Sequence, residues 1–277
     1  MIRSPSHLEP GSEFDPGAAG AGNLPRAWRR AWLADPDRPQ IHDPDRGWLT
    51  RGELDRASRG RAARLAGLGL ESGDRVLLSS ESSWDLVATY VACQRLGLVV
   101  IPTNTAYGPR ELGHVIEDAR PAAAIVDDPE RAEVIGSIAP ALDCFGPDLP
   151  LPEGPALELD RAAPEAPALL CYTSGTTGRP KGAVLSHASC LASAEALRCA
   201  WRWTESDRLL LCLPLFHMHG LGVGLHGSLH AGASAVLLRG FRPDEIVERI
   251  RELEATLFFG VPTLYHRLAR HPRVAEL

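Results

Sequence analysis

The chain has 277 residues, a hydrophobic fraction of 44% and a formal net charge of −6 at pH 7, so it can bury a sizeable core. The negative charge and the lack of any basic run argue against a general nucleic-acid binder or a binder of anionic membranes. The longest strongly apolar run, residues 209–216, is too short to cross a bilayer, and the N-terminus has no apolar segment of the signal-peptide type. We therefore expect no membrane span and no nucleic-acid partner.

Six cysteines occur in the chain, and no two of them form a Cys-x-x-Cys pair. Most stand among Ala, Leu and Val, which is typical of small buried hydrophobic residues rather than of a disulfide framework. Free thiols persist in a reducing compartment, so the sequence predicts a cytoplasmic protein. The cysteines are at positions 93, 144, 171, 190, 199 and 212.

Residues 1–23 are rich in Gly, Pro, Ser and Ala, and we predict a disordered leader there. After it, short apolar runs alternate with helical patterns, and Thr50 and Glu53 have the spacing of a capping box. This alternation predicts a mostly parallel α/β sheet flanked by helices. The predicted elements of this half are a helix from Leu24, a helix from Thr50, a strand at 75–78, a helix at 84–96, a strand at 99–101, a helix at 109–119 and a strand at 123–126.

The second half repeats the alternation after a Pro-rich connection at residues 143–167, which we predict to be irregular. Pro262 is well placed for the first turn of a last helix. The predicted elements are a strand at 168–172, a helix at 186–201, a strand at 209–213, a Gly-rich helix at 221–229, a strand at 234–238, a helix after Pro243, a strand at 256–259 and the helix at Pro262.

The most informative segment is residues 172–182, which read Tyr-Thr-Ser-Gly-Thr-Thr-Gly-Arg-Pro-Lys-Gly. Its glycines let backbone amides approach an anion, its Ser and Thr hydroxyls donate hydrogen bonds, and Lys181 adds a mobile charge. The Walker pattern has another spacing, since Gly175 and Gly178 are too close together and a glycine follows Lys181. We interpret the segment as a polyphosphate-binding loop, because ordinary turn chemistry does not explain so many hydroxyls before Pro-Lys-Gly.

Residues 173–182 resemble the phosphate-binding signature of the acyl-adenylate-forming enzymes, which include acyl-CoA synthetases, luciferases and the adenylation domains of peptide synthetases. Two further segments extend the resemblance over residues 24–277. They read Leu-Pro-Leu-Phe-His-Met-His-Gly-Leu at 213–221 and Phe-Phe-Gly-Val-Pro-Thr-Leu-Tyr-His-Arg-Leu at 258–268. Together these two segments are most similar to those of malonyl-CoA and methylmalonyl-CoA synthetases.

The resemblance implies ATP-dependent activation of a small carboxylic acid to an acyl-adenylate, followed by transfer of the acyl group to coenzyme A. Malonate or methylmalonate is the favoured acid, and a fatty acid or an aryl acid is the alternative. The implied cofactors are ATP, Mg2+ and coenzyme A, with the magnesium ligands outside the present sequence. The implied fold is the α/β N-terminal domain of the family, with mostly parallel sheets flanked by helices.

Adenylation expels pyrophosphate, so groups that neutralise the β- and γ-phosphates act where negative charge accumulates. The resemblance places these phosphates on the 172–182 segment and makes Lys181 a catalytic cation. The predicted nucleotide-binding residues are Thr173, Ser174, Gly175, Thr176, Thr177, Gly178 and Lys181.

Two segments after predicted strands are candidates for the acyl pocket, because ligands of open α/β folds bind at the carboxyl edge of the sheet. By resemblance, His217 lies near the acyl substrate and is the second predicted catalytic residue. Gly260 and Thr263 are predicted to line the pocket, although a simple helix start would also explain Thr263. Arg267 is a candidate partner for the distal carboxylate of malonate, and an exposed arginine in a weak surface pair is the alternative.

Four closely spaced histidines raise the alternative of a zinc site. No acidic or cysteine residue is interleaved with them, and the last two lack the glutamate of His-Glu-x-x-His. We therefore predict no metal site, and we interpret His226 and His230 as ordinary, partly exposed helix residues. The four are His217, His219, His226 and His230.

Complete members of the family continue with an aromatic-Gly-x-Thr-Glu loop, an aspartate for the ribose, a hinge and a small mobile domain with a catalytic lysine. None of these can be located in the sequence, so we expect residues 24–277 to form an incomplete N-terminal domain that lacks the C-terminal mobile domain. That domain could be supplied in trans, and activity of the chain alone is doubtful on this view. A non-catalytic nucleotide-binding remnant is the remaining hypothesis.

Overall fold

The computed structural model of the chain describes residues 22–149, 157–173 and 180–277. The strands in these residues are β1 (Pro39–Asp43), β2 (Gly47–Thr50), β3 (Arg75–Ser79), β4 (Val99–Pro102), β5 (Ala123–Val126), β6 (Cys144–Phe145), β7 (Pro167–Thr173), β8 (Lys181–Ser186), β9 (Arg208–Leu211), β10 (Ser234–Leu237) and β11 (Leu257–Phe258). The helices are α1 (Leu24–Ala34), α2 (Arg51–Gly67), α3 (Trp84–Leu96), α4 (Pro109–Ala119), α5 (Pro129–Ile138), α6 (His187–Ala200), α7 (His226–Ala231), α8 (Pro243–Glu252) and α9 (Pro262–Ala269), with a π-helical segment at His219–Leu225 and a 3₁₀ turn at Val274–Glu276. None of these helices combines the length and the apolar character that crossing a membrane requires.

The described strands form two sheets, with the orders β11-β9-β10-β1-β2 and β6-β5-β3-β4-β7-β8. Among the described strands, every pairing is parallel except β1 with β2 and β7 with β8, the two hairpins at the ends of the sheets. The predicted α/β class with mostly parallel sheets is therefore confirmed. At the outer end of the second sheet, four of the six residues of β8 are exposed.

The central strands of each sheet pack against a core on both faces, and successive side chains of a strand enter different cores because they point to opposite faces. In β3, Val76 and Leu78 face the core between the two sheets, whereas Leu77 faces α4 and α5. In the other sheet, Leu210 and Val236 face α8 and α9. The helices α1, α2, α3, α6 and α7 supply the core between the sheets. The layers are thus helix, sheet, helix, sheet and helix.

Local capping explains where several helices begin and end. Thr50 and Glu53 form the predicted reciprocal capping box at the start of α2. Ser83 accepts a hydrogen bond from a first-turn amide of α3, and Gly97 ends that helix with a φ of 82°. The helices predicted at 84–96 and 109–119 are confirmed with these bounds.

A buried ion network joins α1, α2 and α3 to the segment that leads into β7. The guanidinium of Arg95 lies 2.9 Å from the carboxylate of Asp55 and 3.2 Å from that of Asp160. Arg95 is only 2% exposed. Asn23, which the sequence assigns to the leader, instead caps α1 and donates to the Asp160 carbonyl at 2.8 Å.

Some elements differ from the sequence prediction. Strands β1, β2 and β6 and helix α5 are present although no pattern predicts them, because short elements give a weak periodic signal. Strand β6 lies in the stretch 143–167 that was predicted to be irregular. The Gly-rich helix begins before 221, at His219, and its first part is π-helical.

Candidate active site

The Gly- and Thr-rich motif lies at the end of the β7–β8 hairpin. Thr173 and Lys181 form the last pair of the antiparallel ladder. The prediction of a loop from 172 to 182 is therefore too wide, because residues at both of its ends belong to the paired strands. The predicted phosphate-binding residues Ser174, Gly175, Thr176, Thr177 and Gly178 lie outside the described residues.

The hairpin turns its two faces to different cores. Cys171 packs against the core between the two sheets, whereas Leu170 and Tyr172 pack beside α4. Side chains two residues apart in a strand share a face, and so do directly opposed residues of an antiparallel pair. Thr173 and Lys181 therefore lie on the face that is turned towards the other sheet.

A contact between the two sheets brings the second predicted segment to this face. Cys171 Sγ lies 3.5 Å from Sδ of Met218, and Met218 stands in the connection between β9 and the π-helical segment. His217 immediately precedes Met218 and its side chain is exposed. The structure thus places the hairpin end and the histidine segment on facing edges of the two sheets.

Lys181 carries a charge that no described residue neutralises. Its side chain is exposed, and within the described ranges no carboxylate forms an ion pair with it. The chain also contains no other lysine. A lone ammonium group beside a Thr hydroxyl is suited to binding an anionic group.

The backbone of the histidine segment is tightly packed although His217 is exposed. The His217 amide donates to the Pro214 carbonyl at 3.2 Å, and the Leu221 amide donates to the His217 carbonyl at 2.8 Å. At Gly220 a Cβ atom would lie 2.3 Å from the Pro214 oxygen, so only glycine fits this turn. Segments of π-helix occur often at functional sites. The geometry holds His217 on a fixed backbone with its ring accessible.

Gly260 and Thr263 follow β11, which pairs in parallel with β9. The carboxyl ends of these two strands lie side by side, so both candidate pocket segments occupy one edge of the sheet. The Gly260 amide donates to the Tyr265 hydroxyl at 3.2 Å. Thr263 is exposed in the first turn of α9, as expected both for a pocket wall and for a helix start.

Arg267 stacks on an aromatic ring. Its guanidinium carbon lies 4.9 Å from the centre of the Phe241 ring, and Phe241 follows β10 at the same edge of the sheet. Arg267 stands four positions after Thr263 in α9, so the two share one face of the helix. The role of Arg267 towards a substrate carboxylate remains a prediction.

The interpretation of His226 as a partly exposed residue is wrong. His226 is 1% exposed, and its Nε2 lies 2.5 Å from the Tyr90 hydroxyl. Its burial lowers its pKa to about 3, with further contributions from the nearby His187 and His230. His230 in turn lies 2.8 Å from the carboxylate of Glu195. These contacts hold the rings in separate polar pairs.

Within the described part of the chain, no group of three or more His, Cys, Asp or Glu side chains is placed to hold a metal ion. The four histidines at 217, 219, 226 and 230 all belong to that part.

A groove of about 580 Å³ lies beside α4, on the other face of the hairpin. Its lining combines the carboxylates of Glu111 and Glu117 with Arg110, His114 and Pro180. Two carboxylates oppose the binding of a polyphosphate. We therefore assign no nucleotide to this groove and keep Lys181 and the face between the sheets as the candidate site.

Comparisons with known proteins agree with this fold. The family model described as "AMP-binding enzyme" matches residues 28–277. The ATP-bound structure of MatB from Rhodopseudomonas palustris superposes with a TM-score of 0.82 at 34% identity, over 92% of this chain and 53% of that one. A feruloyl-CoA synthase of Amycolatopsis is 34% identical over 81% of this chain and 46% of its own length. The mitochondrial malonate–CoA ligase of Bos taurus is 33% identical over 70% of this chain and 35% of its own length.

The chain thus spans about half the length of the feruloyl-CoA synthase and of MatB. The family match itself extends from α1 through the β7–β8 hairpin and the histidine segment to the last residue. On that evidence the chain belongs to the AMP-binding enzyme family.

Proposed function

We propose that the chain carries the phosphate-binding part of an ATP-dependent acyl-CoA ligase. The ligase activates a carboxylic acid to an acyl-adenylate and then transfers the acyl group to coenzyme A. One observation carries the proposal: Thr173 and Lys181 end a hairpin on the face that Met218 and the histidine segment also approach, and the Lys181 ammonium forms no ion pair with a described residue.

The chemistry explains why a lysine is needed there. A carboxylate oxygen attacks the α-phosphorus of ATP, and the bond between the α-phosphorus and the bridging oxygen of pyrophosphate breaks. Negative charge grows on the departing pyrophosphate, where Lys181 and Thr173 would stabilise it. Ser174, Gly175, Thr176, Thr177 and Gly178 complete the proposed set through the motif. Magnesium bound with ATP would offset the same charge, and we assign its ligands to no described residue.

The acyl pocket is proposed at the carboxyl edge of the first sheet. His217 has an accessible ring on a fixed backbone, and Gly260 and Thr263 stand at the end of the neighbouring strand. These positions suit groups that orient a carboxylate towards the α-phosphorus. Arg267 stands on the same helix face as Thr263 and offers a cation for a second carboxylate.

Malonate or methylmalonate is the acid that we favour. The segments 213–221 and 258–268 support it, as do the similarity to the bovine malonate–CoA ligase and the position of Arg267. An aryl acid is the second candidate, because a feruloyl-CoA synthase and a 3-hydroxybenzoate–CoA ligase of Aromatoleum are also similar to the chain. A fatty acid is the remaining alternative.

We further propose that residues 24–277 act together with the parts that the relatives carry in their other half. The direct test of the proposed function is calorimetric binding of ATP to the chain, with competition by pyrophosphate. We expect pyrophosphate to displace ATP, because both use the same phosphate site. The proposal would be contradicted if saturating pyrophosphate left the affinity for ATP unchanged, or if the chain did not bind ATP.

The acid is identified by a pyrophosphate-release screen over malonate, methylmalonate, ferulate, 3-hydroxybenzoate and a fatty acid. The C-terminal half of MatB is added as a separate polypeptide, and the same half alone is the control. Release with aryl acids but not with dicarboxylates would reject our preferred substrate and leave the ligase activity standing. ATP binding without release for any acid would favour the non-catalytic remnant.

A further inference from the structure

Two hydrogen bonds tie the end of the β7–β8 hairpin to helix α4. The Tyr172 hydroxyl donates to Oδ2 of Asp118 at 2.5 Å. Nε2 of His114 lies 2.8 Å from the Pro180 carbonyl oxygen, and since a carbonyl can only accept, the ring donates. Tyr172 immediately precedes Thr173, and Pro180 immediately precedes Lys181. Each bond therefore holds the chain neighbour of a proposed phosphate-binding residue.

Both bonds come from one rigid face of one helix. His114 and Asp118 are four residues apart in α4, so they lie one turn above each other. The opposite side of α4 is buried in the outer core through Leu112, Val115 and Ala119. A helix anchored in this way gives the hairpin end a fixed reference position.

Ring packing reinforces the hydrogen bonds. The His114 and Tyr172 rings meet edge to face with centroids 6.1 Å apart. A Cβ atom at Gly182 would lie 2.8 Å from a Leu170 methyl and 3.4 Å from the Tyr172 ring. The Gly182 backbone therefore packs closely against the Leu170 methyl and lies in van der Waals contact with the Tyr172 ring. Burial and the hydrogen bond to Asp118 raise the pKa of Tyr172 well above its usual value, so the hydroxyl keeps its proton.

We propose that His114, Asp118 and Tyr172 are positioning residues for ATP: they set where Thr173 and Lys181 stand without touching the nucleotide. The inference rests on the proposed function of that hairpin. By this inference, helix α4 contributes to nucleotide affinity although it lies far from the phosphate-binding motif in the sequence.

The test compares ATP with AMP, because only ATP carries the β- and γ-phosphates. Calorimetry on the full chain measures both affinities for the unaltered protein, Lys181→Ala, His114→Ala, His114→Gln and Tyr172→Phe. Glu117→Gln is the matched control, since Glu117 is exposed on the same helix and hydrogen-bonds to no described residue of the hairpin. Thermal melting of each variant monitors folding.

We expect His114→Ala and Tyr172→Phe each to weaken ATP binding by roughly three- to tenfold, the usual effect of one lost hydrogen bond. AMP binding should be unchanged, and a merely structural defect would lower both affinities. His114→Gln restores an N–H donor at similar reach and should recover ATP binding. Glu117→Gln should match the unaltered protein.

The possible outcomes distinguish a failure of the positioning role from a failure of the proposed function. If Lys181→Ala loses the preference for ATP over AMP while His114→Ala and Tyr172→Phe keep it, the positioning role is overturned and the proposed function stands. Equal loss of ATP and AMP binding in the two α4-contact variants also overturns the positioning role. If the unaltered chain has no preference for ATP, or Lys181→Ala keeps it, the proposed phosphate site itself is wrong.

Discussion

The Tyr90 hydroxyl and the His226 ring form a buried pair, 2.5 Å apart, between α3 and α7. His187 is also buried, and burial lowers its pKa to about 4, while that of His226 falls to about 3. Both rings are therefore neutral in the folded protein above a pH of about 4. In the unfolded chain the same rings bind protons below a pH of about 6.5.

The unfolded state thus binds more protons than the folded state between pH 6.5 and pH 4. We expect the free energy of unfolding to be fully retained above pH 6.5 and to fall as the pH drops through this window. Urea unfolding at pH 7.5, 6.0 and 5.0 measures the slope. His226→Gln should flatten it, whereas His217→Asn, at an exposed histidine, should not. An equal slope in His226→Gln would contradict the assignment.

Lys181 is the single lysine of the chain, so its amine can be followed by chemical modification. We expect ATP to slow acylation of the Lys181 amine by an amine-selective reagent, because bound phosphates would form an ion pair with the ammonium group and shield it. The site and extent of modification are read by peptide mass spectrometry, with the N-terminal amine as the internal reference. AMP at a saturating concentration should protect less. Equal protection by the two nucleotides would place Lys181 away from the β- and γ-phosphates.

Arg95 is buried between two carboxylates, of which Asp160 is buried and Asp55 is partly exposed. Replacing it by Met leaves Arg29 as the partner that Asp55 and Asp160 still share. We therefore expect a loss of more than about 1 kcal/mol in the free energy of unfolding, below the full cost of about 3–5 kcal/mol for an uncompensated buried charge. The matched control is Arg161→Ala, because Arg161 pairs with Glu158 on the surface, where both side chains are more than half exposed. That change should cost less than about 1 kcal/mol. Similar losses in both variants by urea unfolding would refute the role of Arg95.

Replacing glycine by alanine should change the stability of the protein in opposite directions at two helix positions. At Gly227 a Cβ atom would lie 2.3 Å from the Trp203 ring, which is buried, so Gly227→Ala should destabilise the protein by about 1–3 kcal/mol. At Gly136, inside α5, a Cβ atom meets nothing within 4 Å. Gly136→Ala should therefore stabilise it by up to about 1 kcal/mol. Thermal melting of the two variants side by side checks both signs.

Local signals made much of the fold predictable. The helices at 84–96 and 109–119 and the strand at 123–126 are confirmed because their limits lie in the chain itself, such as Gly97 after α3 and Pro109 at the start of α4. The β7–β8 hairpin was harder to predict from the sequence. Residues 181–186 become a strand only through pairing with β7, and the intervening motif hides that partnership.

The parts of the site that sequence reasoning missed depend on distant partners. His226 was expected to be partly exposed, but its burial follows from Tyr90, which lies 136 positions away in the chain. His114 and Asp118 had a visible helical spacing on a correctly predicted helix. Nothing in that spacing indicates that they meet Pro180 and Tyr172, because those contacts arise only when the helix packs on the hairpin.

The outward-facing strand β8 has a consequence for handling the protein. Its first four residues are exposed, and Val184 among them is 62% exposed. Unpaired backbone amides and carbonyls along an edge strand can hydrogen-bond to a strand of a second molecule. Lys181, at the tip, is the sole charged residue in β8 to discourage this. We therefore expect the protein to self-associate as its concentration rises, and we expect Val184→Lys to reduce that self-association.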